Sequence, residues 1–206
     1  MSPIVDALLS QVSHSESWVA FDCETTGLTP RSRVIEIGAI HFNASGENVG
    51  QFQQLANPHC RIPRIVTDLT GLTDEDIRDA PPSQQVIQQF LEWLPPDAPI
   101  MAHNVEFDLQ MFANGLSSSG TILSRRVILD TLQLARALGI FNDCRLSTIA
   151  NTLNDQPVLR LHRSLCDAAV VKQLFLHARV LRQGKVWDPS IPDDGPASGH
   201  RCLSTK

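Results

Sequence analysis

The sequence predicts an α/β fold in which a five-stranded mixed sheet is flanked by helices. Two patterns carry that expectation. Three runs with strand character, Trp18 to Glu24, Val34 to Phe42 and Asn48 to Leu55, come first and lie close together. Two further strand-like runs, Ala98 to Ala102 and Val127 to Leu129, then alternate with segments of helical periodicity.

The elements follow in order. Pro3 to Val12 reads as a short peripheral helix, and residues 1–16 form an N-terminal segment outside the main domain, 17–183. Asn43-Ala44-Ser45-Gly46 is turn chemistry between the second and third strands, so the first three strands form an antiparallel meander. Thr67 to Ala80 is polar, with Asp and Thr placed to cap short helices; Asp74, Glu75, Asp76 and Asp79 read as a solvated helix face. From Ser83, Val86, Ile87, Phe90, Leu91 and Leu94 keep helical spacing until Pro95-Pro96 stops the helix. The fourth strand feeds a helix from about Val105 to Leu116. Asp130 is placed to cap a helix over Thr131 to Leu138, and two more helices cover Leu146 to Leu153 and Leu165 to Arg182. Pro189, Pro192, Gly195, Pro196 and Gly199 in a polar stretch mark 184–206 as a flexible tail, with Trp187 its one hint of an anchor. No internal repeat is visible.

Composition narrows the function classes. Among 206 residues, 42% are hydrophobic, enough for a full core, and the net charge is −5. That balance argues against coating nucleic acid through a broad basic surface, which needs many Lys and Arg on phosphates. It leaves room for an acidic cleft in which cations supply positive charge locally. The five cysteines are odd in number and widely spaced, unlike a zinc knuckle or a redox motif, so reduced thiols in a cytosolic protein are expected. Asp6 interrupts a short N-terminal apolar run that has no basic region before it, unlike a signal peptide. No apolar run approaches the roughly 20 residues of a membrane span. A soluble, cytoplasmic protein is expected, with no membrane partner.

Three blocks carry chemistry: FDCETTGL (Phe21 to Leu28), AHNVEFDLQMF (Ala102 to Phe112) and LHRSLCDAAVV (Leu161 to Val171). In the first, Asp22 and Glu24 are two apart on a strand and share a face, while Phe21 and Cys23 turn to the core. Two neighbouring carboxylates on a sheet face call for a cation between them, unless the strand end simply faces water. Thr25, Thr26, Gly27 and Leu28 then end the strand. Gly27 permits close approach of a ligand to the backbone, although an ordinary turn would look the same. In the second block, His103 and Asn104 stand where the strand gives way to a helix, and Asp108 falls in its first turn, where the dipole alone favours an acid. Phe107 could stack on a base, but a lone aromatic more often fills the core. In the third, His162 and Asp167 are five apart, about 140° around a regular helix. To serve one site, His162 must precede the helix in a loop, which Pro157 and the turn formers of Asn154 to Arg160 allow. Glu36, inside the apolar run VIEIGAI, is either on a solvated face or a hydrogen-bonded group behind the site.

Taken in order, FDCETTGL, AHNVEFD and HRSLCDA resemble the exonuclease motifs of the DEDDh family, which includes the proofreading epsilon subunit of bacterial DNA polymerase III. LTGLTDEDIRDAPP and LDTLQLAR between them look like family linker segments, and the resemblance covers about Trp18 to Leu181. The sister subclass carries a tyrosine instead of the histidine; this chain has no tyrosine. Ser164-Leu165-Cys166 departs from the pattern, because an alanine often follows the His-Arg pair; this bears on local packing alone. The resemblance implies a ribonuclease H-like fold and removal of nucleoside 5′-monophosphates from a free 3′ end, with two Mg²⁺ or Mn²⁺ ions as cofactors. It implies Asp22, Glu24 and Asp167 as metal ligands, Asp22 bridging to a second ion that Asp108 helps to bind through water. His162 would be the general base. Thr25, Thr26, Gly27 and Leu28 would hold the terminal nucleotide, Leu28 against its base, with His103, Asn104 and Phe107 lining the strand. DNA is favoured over RNA as substrate and a polymerase subunit is an expected partner. The alternatives are an RNA-trimming exonuclease and a non-catalytic polymerase accessory module.

Overall fold

The computed structural model describes residues 2–116, 123, 125–154 and 162–185. Its strands are β1 (Ser17–Thr25), β2 (Val34–Asn43), β3 (Asn48–Leu55), β4 (Ile100–Ala102) and β5 (Ile128–Asp130). Its helices are α1 (Pro3–Gln11), α2 (Arg64–Thr70), α3 (Ser83–Trp93), α4 (Val105–Gly115), α5 (Thr131–Leu138), α6 (Leu146–Leu153) and α7 (Ser164–Arg182). The strands form one sheet in the order β3-β2-β1-β4-β5. The first three pair antiparallel, and β4 and β5 join β1 in parallel, so the sheet is mixed as expected. The stretch Asn154 to Arg160 and the tail fall almost wholly outside the described residues, Pro157 and Trp187 included.

Local chemistry sets these boundaries. The Asn43 side-chain oxygen accepts from the amides of Ser45 (3.1 Å) and Glu47 (3.0 Å), closing the β2–β3 turn. Asp130 caps α5 by accepting from the Leu132 amide at 2.8 Å. Residues 74–79 are turns, not the expected helix, although Asp74, Glu75, Asp76 and Asp79 are exposed as expected. The reason is competition from side chains: Asp76 accepts from the Thr73 amide at 2.8 Å, and Asp74 accepts from Ile62 at 2.8 Å. No helix among the described residues is long and apolar enough to cross a membrane.

Alternation along β1 divides the core. Val19, Phe21 and Cys23 face α3 and α4, packing with Ile87, Phe90, Met111 and Phe112. Trp18 and Ala20 face the other layer, with Ala168, Val171 and Phe175 of α7 and with Val5 and Leu9 of α1. The segment read as peripheral therefore sends one stripe of α1 into this second layer. The Trp18 indole N–H donates to the Val12 carbonyl at 3.0 Å. Asp22 and Glu24 continue the Trp18–Ala20 face and so point toward α7.

Glycine at position 38 makes that approach feasible. Gly38 pairs with Asp22 across the β1–β2 ladder, and a Cβ added there would lie 2.2 Å from the Leu165 nitrogen and 2.4 Å from the Ser164 carbonyl carbon. Both are backbone atoms of the first turn of α7, which cannot swing aside as a side chain would. Gly38→Ala is expected to lower the unfolding free energy by about 3 kcal/mol. Urea unfolding measures this, and an unchanged midpoint would show that α7 does not rest against β2 at this point.

Candidate metal and active site

The first turn of α7 brings Asp167 down on the C-terminal end of β1. Carboxylate oxygens of Asp22, Glu24 and Asp167 lie within 4.8 Å of one another. Asp22 and Glu24 are partly exposed and Asp167 is buried. Three anionic oxygen donors gathered this tightly suit a hard divalent cation such as Mg²⁺ or Mn²⁺. The helix begins at Ser164, so His162 precedes it, as the five-residue spacing requires. His162 is exposed and holds a left-handed backbone (φ 65°). Its amide donates to both oxygens of Asp167, at 3.3 and 3.1 Å, which fixes the orientation of that carboxylate.

Asp108 reaches the same end of the sheet from the opposite layer, in the first turn of α4. It stands outside the three-acid group. Its Oδ1 accepts from the Cys23 thiol at 2.9 Å. Cys23 does face the core, and in doing so it holds the fourth acid.

The predicted substrate contacts divide by what their polar atoms already do. Thr25 Oγ1 donates to the Gly27 carbonyl at 2.6 Å, and Thr26 joins the Arg33 backbone at 2.9 and 3.0 Å, so this strand end is a closed, hydrogen-bonded loop. Leu28 at its tip is 86% exposed. Asn104 is exposed and left-handed (φ 69°), and its amide donates to Asp130. Phe107 is half-buried and packs against the α3–α4 core. Both ring nitrogens of His103 are engaged inside the protein, with Thr131 Oγ1 at 3.2 Å and the Cys144 carbonyl at 2.7 Å. The side-chain polar atoms of Thr25, Thr26 and His103 are thus all engaged within the protein.

Glu36 turns out to be fully buried and hydrogen-bonded, not solvated, in an ion pair with Arg163 (2.8 Å). Arg163 was not among the predicted site residues. A charged residue inside VIEIGAI was the available signal, since a buried acid demands a partner.

The family profile described as exonuclease (RNase T) matches residues 19–175. The chain belongs to this exonuclease family. Among its relatives are the PolC-type DNA polymerase III of Bacillus cereus, 34% identical over 163 residues, and that of Staphylococcus aureus, 30% identical over 177. These matches cover 78% and 85% of this chain but span 11% and 12% of the polymerases. Similar solved structures include E. coli exonuclease I with a dT13 oligonucleotide (TM-score 0.69, 16% identity, 82% of this chain and 43% of that one). Exonuclease X with 5′ overhanging duplex DNA gives a TM-score of 0.63 at 22% identity over 84% of this chain and 95% of the other. A 3′-exonuclease recognising a histone mRNA stem-loop gives 0.66 at 18%, over 84% and 66%. The exonuclease fold is ribonuclease H-like, as expected.

Electrostatics at this acid cluster favour a cation. Burial, then the charges of Asp108, Asp167, Glu24 and Glu36, hold Asp22 well above the ordinary carboxylate range. Burial, followed by Asp167 and Glu36, pushes Glu24 up to about 8, against an opposing pull from Arg163. Burial lifts Asp167 to about 7 although the His162 amide opposes it, and lifts Asp108 to about 7 against the Cys23 hydrogen bond.

The consequence for stability has a definite sign. Unfolded carboxyls titrate near about pH 4, so between about pH 4 and 8 the metal-free folded state holds more protons than the unfolded state. Its stability then falls as pH rises. The melting temperature of metal-free protein is expected to drop by several degrees from about pH 5 to about pH 8. Mg²⁺ or Mn²⁺ should restore it, more strongly at the higher pH. Scanning calorimetry with and without EDTA checks this, and a metal-free protein more stable at pH 8 would contradict the clustered-acid site.

Proposed function

We propose that this chain is a metal-dependent 3′–5′ exonuclease of the DEDDh type. It hydrolyses the 3′-terminal phosphodiester of DNA and releases nucleoside 5′-monophosphates. The observation that carries this reading is the meeting of Asp22, Glu24 and Asp167 within 4.8 Å, beside a loop-borne His162, in an exonuclease-family domain.

Each group has a defined task. Asp22, Glu24 and Asp167 would hold Mg²⁺ or Mn²⁺, and Asp108 would complete the acid set for a second ion. The ions, when bound, supply the positive charge that offsets charge developing on the attacking and leaving oxygens. His162 accepts the proton of the attacking water as its oxygen bonds to phosphorus and the bond to the 3′-oxygen breaks. The exposed Leu28 side chain packs against the terminal base, and the Thr25–Gly27 loop holds the terminal nucleotide. Asn104 and Phe107 flank the next part of the strand. Identity with PolC-type DNA polymerases favours DNA and a polymerase partner. It also accords with a cytoplasmic setting.

Incubation of 5′-labelled DNA with an unpaired 3′ end, beside single-stranded RNA, tests the proposal. Stepwise shortening of DNA with Mg²⁺, abolished by EDTA, is the expected result. Shortening of RNA alone would move the reading to an exoribonuclease, and shortening of neither would overturn it. Asp22→Ala is expected to remove cleavage while the fold stays intact by circular dichroism. His162→Ala should lower kcat by about 10²-fold or more and leave Mn²⁺ affinity near wild type by calorimetry; a matching loss of affinity would count against its role as base.

A further inference from the structure

Glu36 lies directly across the β1–β2 ladder from Glu24 but outside the three-acid group. Its carboxylate accepts four hydrogen bonds: from Arg163 Nε (3.1 Å) and Nη2 (2.8 Å), from the Ser164 amide (3.2 Å) and from Gln53 Nε2 (3.1 Å). Three of the four come from Arg163, which joins His162 to α7, and from Ser164, which opens that helix. The Arg163 carbonyl in turn accepts from the amides of Cys166 (2.8 Å) and Asp167 (3.0 Å), starting the helix. One chain of contacts thus runs from β2 through Arg163 to the backbone of the metal-ligand Asp167. At the same point His162 takes up a left-handed backbone, which a non-glycine residue keeps only where its surroundings impose it.

We propose that Arg163, clamped by the buried Glu36, is a positioning residue for the exonuclease reaction: it fixes the turn 162–164 so that Asp167 faces Asp22 and Glu24 and His162 stands beside them. This rests on the metal-dependent exonuclease reading above. Arg163 touches neither substrate nor ion in this role. It acts by setting where the last acid and the base stand. Planarity matters, because Nε and Nη2 engage both carboxylate oxygens together, which a lysine cannot reproduce. The guanidinium also lies close enough to Glu24 to offset part of the like-charge repulsion in the cluster.

The test compares Arg163→Lys, Arg163→Met and the double variant Glu36→Gln/Arg163→Met with wild type. It uses Mg²⁺-dependent DNA shortening, Mn²⁺ calorimetry and thermal unfolding. Arg163→Met is expected to lower kcat by about 10²-fold while KM for DNA changes little. Its Mn²⁺ affinity should fall by about tenfold. Arg163→Lys keeps the charge and should stay folded, recovering part of kcat. The double variant leaves no unpaired buried charge, so it should unfold near the wild-type temperature and still show the kcat and Mn²⁺ losses. Wild-type kcat and Mn²⁺ affinity in Arg163→Lys and the double variant would overturn the proposal, as would activity that tracks the folded fraction alone. If the wild-type chain shortens neither DNA nor RNA, the exonuclease reading fails by itself. The Mn²⁺ affinities then still decide whether Arg163 orients Asp167.

Discussion

Three carboxylates that repel one another are held within 4.8 Å at the end of β1, and much of the surrounding structure answers to that constraint. Without a cation, the acids would be less costly apart. The chain keeps them together largely through backbone and apolar contacts outside the cluster. Asp22 and Glu24 are fixed by the β1–β2 ladder, and Asp167 by the first turn of a 19-residue helix whose Val171, Phe175 and Ala178 are buried against the sheet. Burial of those apolar side chains stabilises the arrangement in a way the charges cannot. Such a site is poised for a divalent ion at some expense of stability in its absence.

Topology decides where the acids meet. The antiparallel meander carries β1 into the middle of the sheet, and the parallel pairing of β4 beside it brings the start of α4 to the same end. Chains leaving the carboxyl ends of neighbouring parallel strands create a crevice there. Asp108 enters it from the α3–α4 layer and Asp167 from the α7 layer, so the site draws on both sides of the sheet. The two layers use different devices. On one side the Cys23 thiol occupies Asp108; on the other the missing side chain of Gly38 admits α7.

What could be read beforehand follows the range of the interactions involved. Period-two alternation is local, and it placed Asp22 and Glu24 on one face of a strand without further information. The helical offset between His162 and Asp167 was equally local; it required a helix start between them, and Ser164 is that start. Long-range pairings were another matter. Glu36 could be read either as solvated or as bonded behind the site, because its partner Arg163 lies 127 residues away. The side chain of His103 sits in the second motif, yet its ring is engaged by Thr131 and by a Cys144 carbonyl that no spacing rule connects to it. The helix reading of 74–79 failed for a related reason: Asp74 bonds back to Ile62, and Asp76 to Thr73, so side chains took the place of helix hydrogen bonds.

The net charge of −5 acquires a meaning once the acids are located. A protein that binds nucleic acid without a broad basic surface needs local positive charge where the phosphate sits. Here the residues that would meet the terminal phosphodiester are acidic, and the exposed groups beside them are Leu28, Asn104 and His162, with no lysine or arginine among them. Under the proposed function, attraction for the substrate would then arise largely from ions held by the acids. On the proposed reading, substrate affinity and catalysis would be linked through one requirement, because a cation held by these acids would both supply positive charge for the reacting oxygens and neutralise the cluster that would repel the phosphate. The polar and apolar groups around it would then orient the strand end and confer little affinity until that charge is in place.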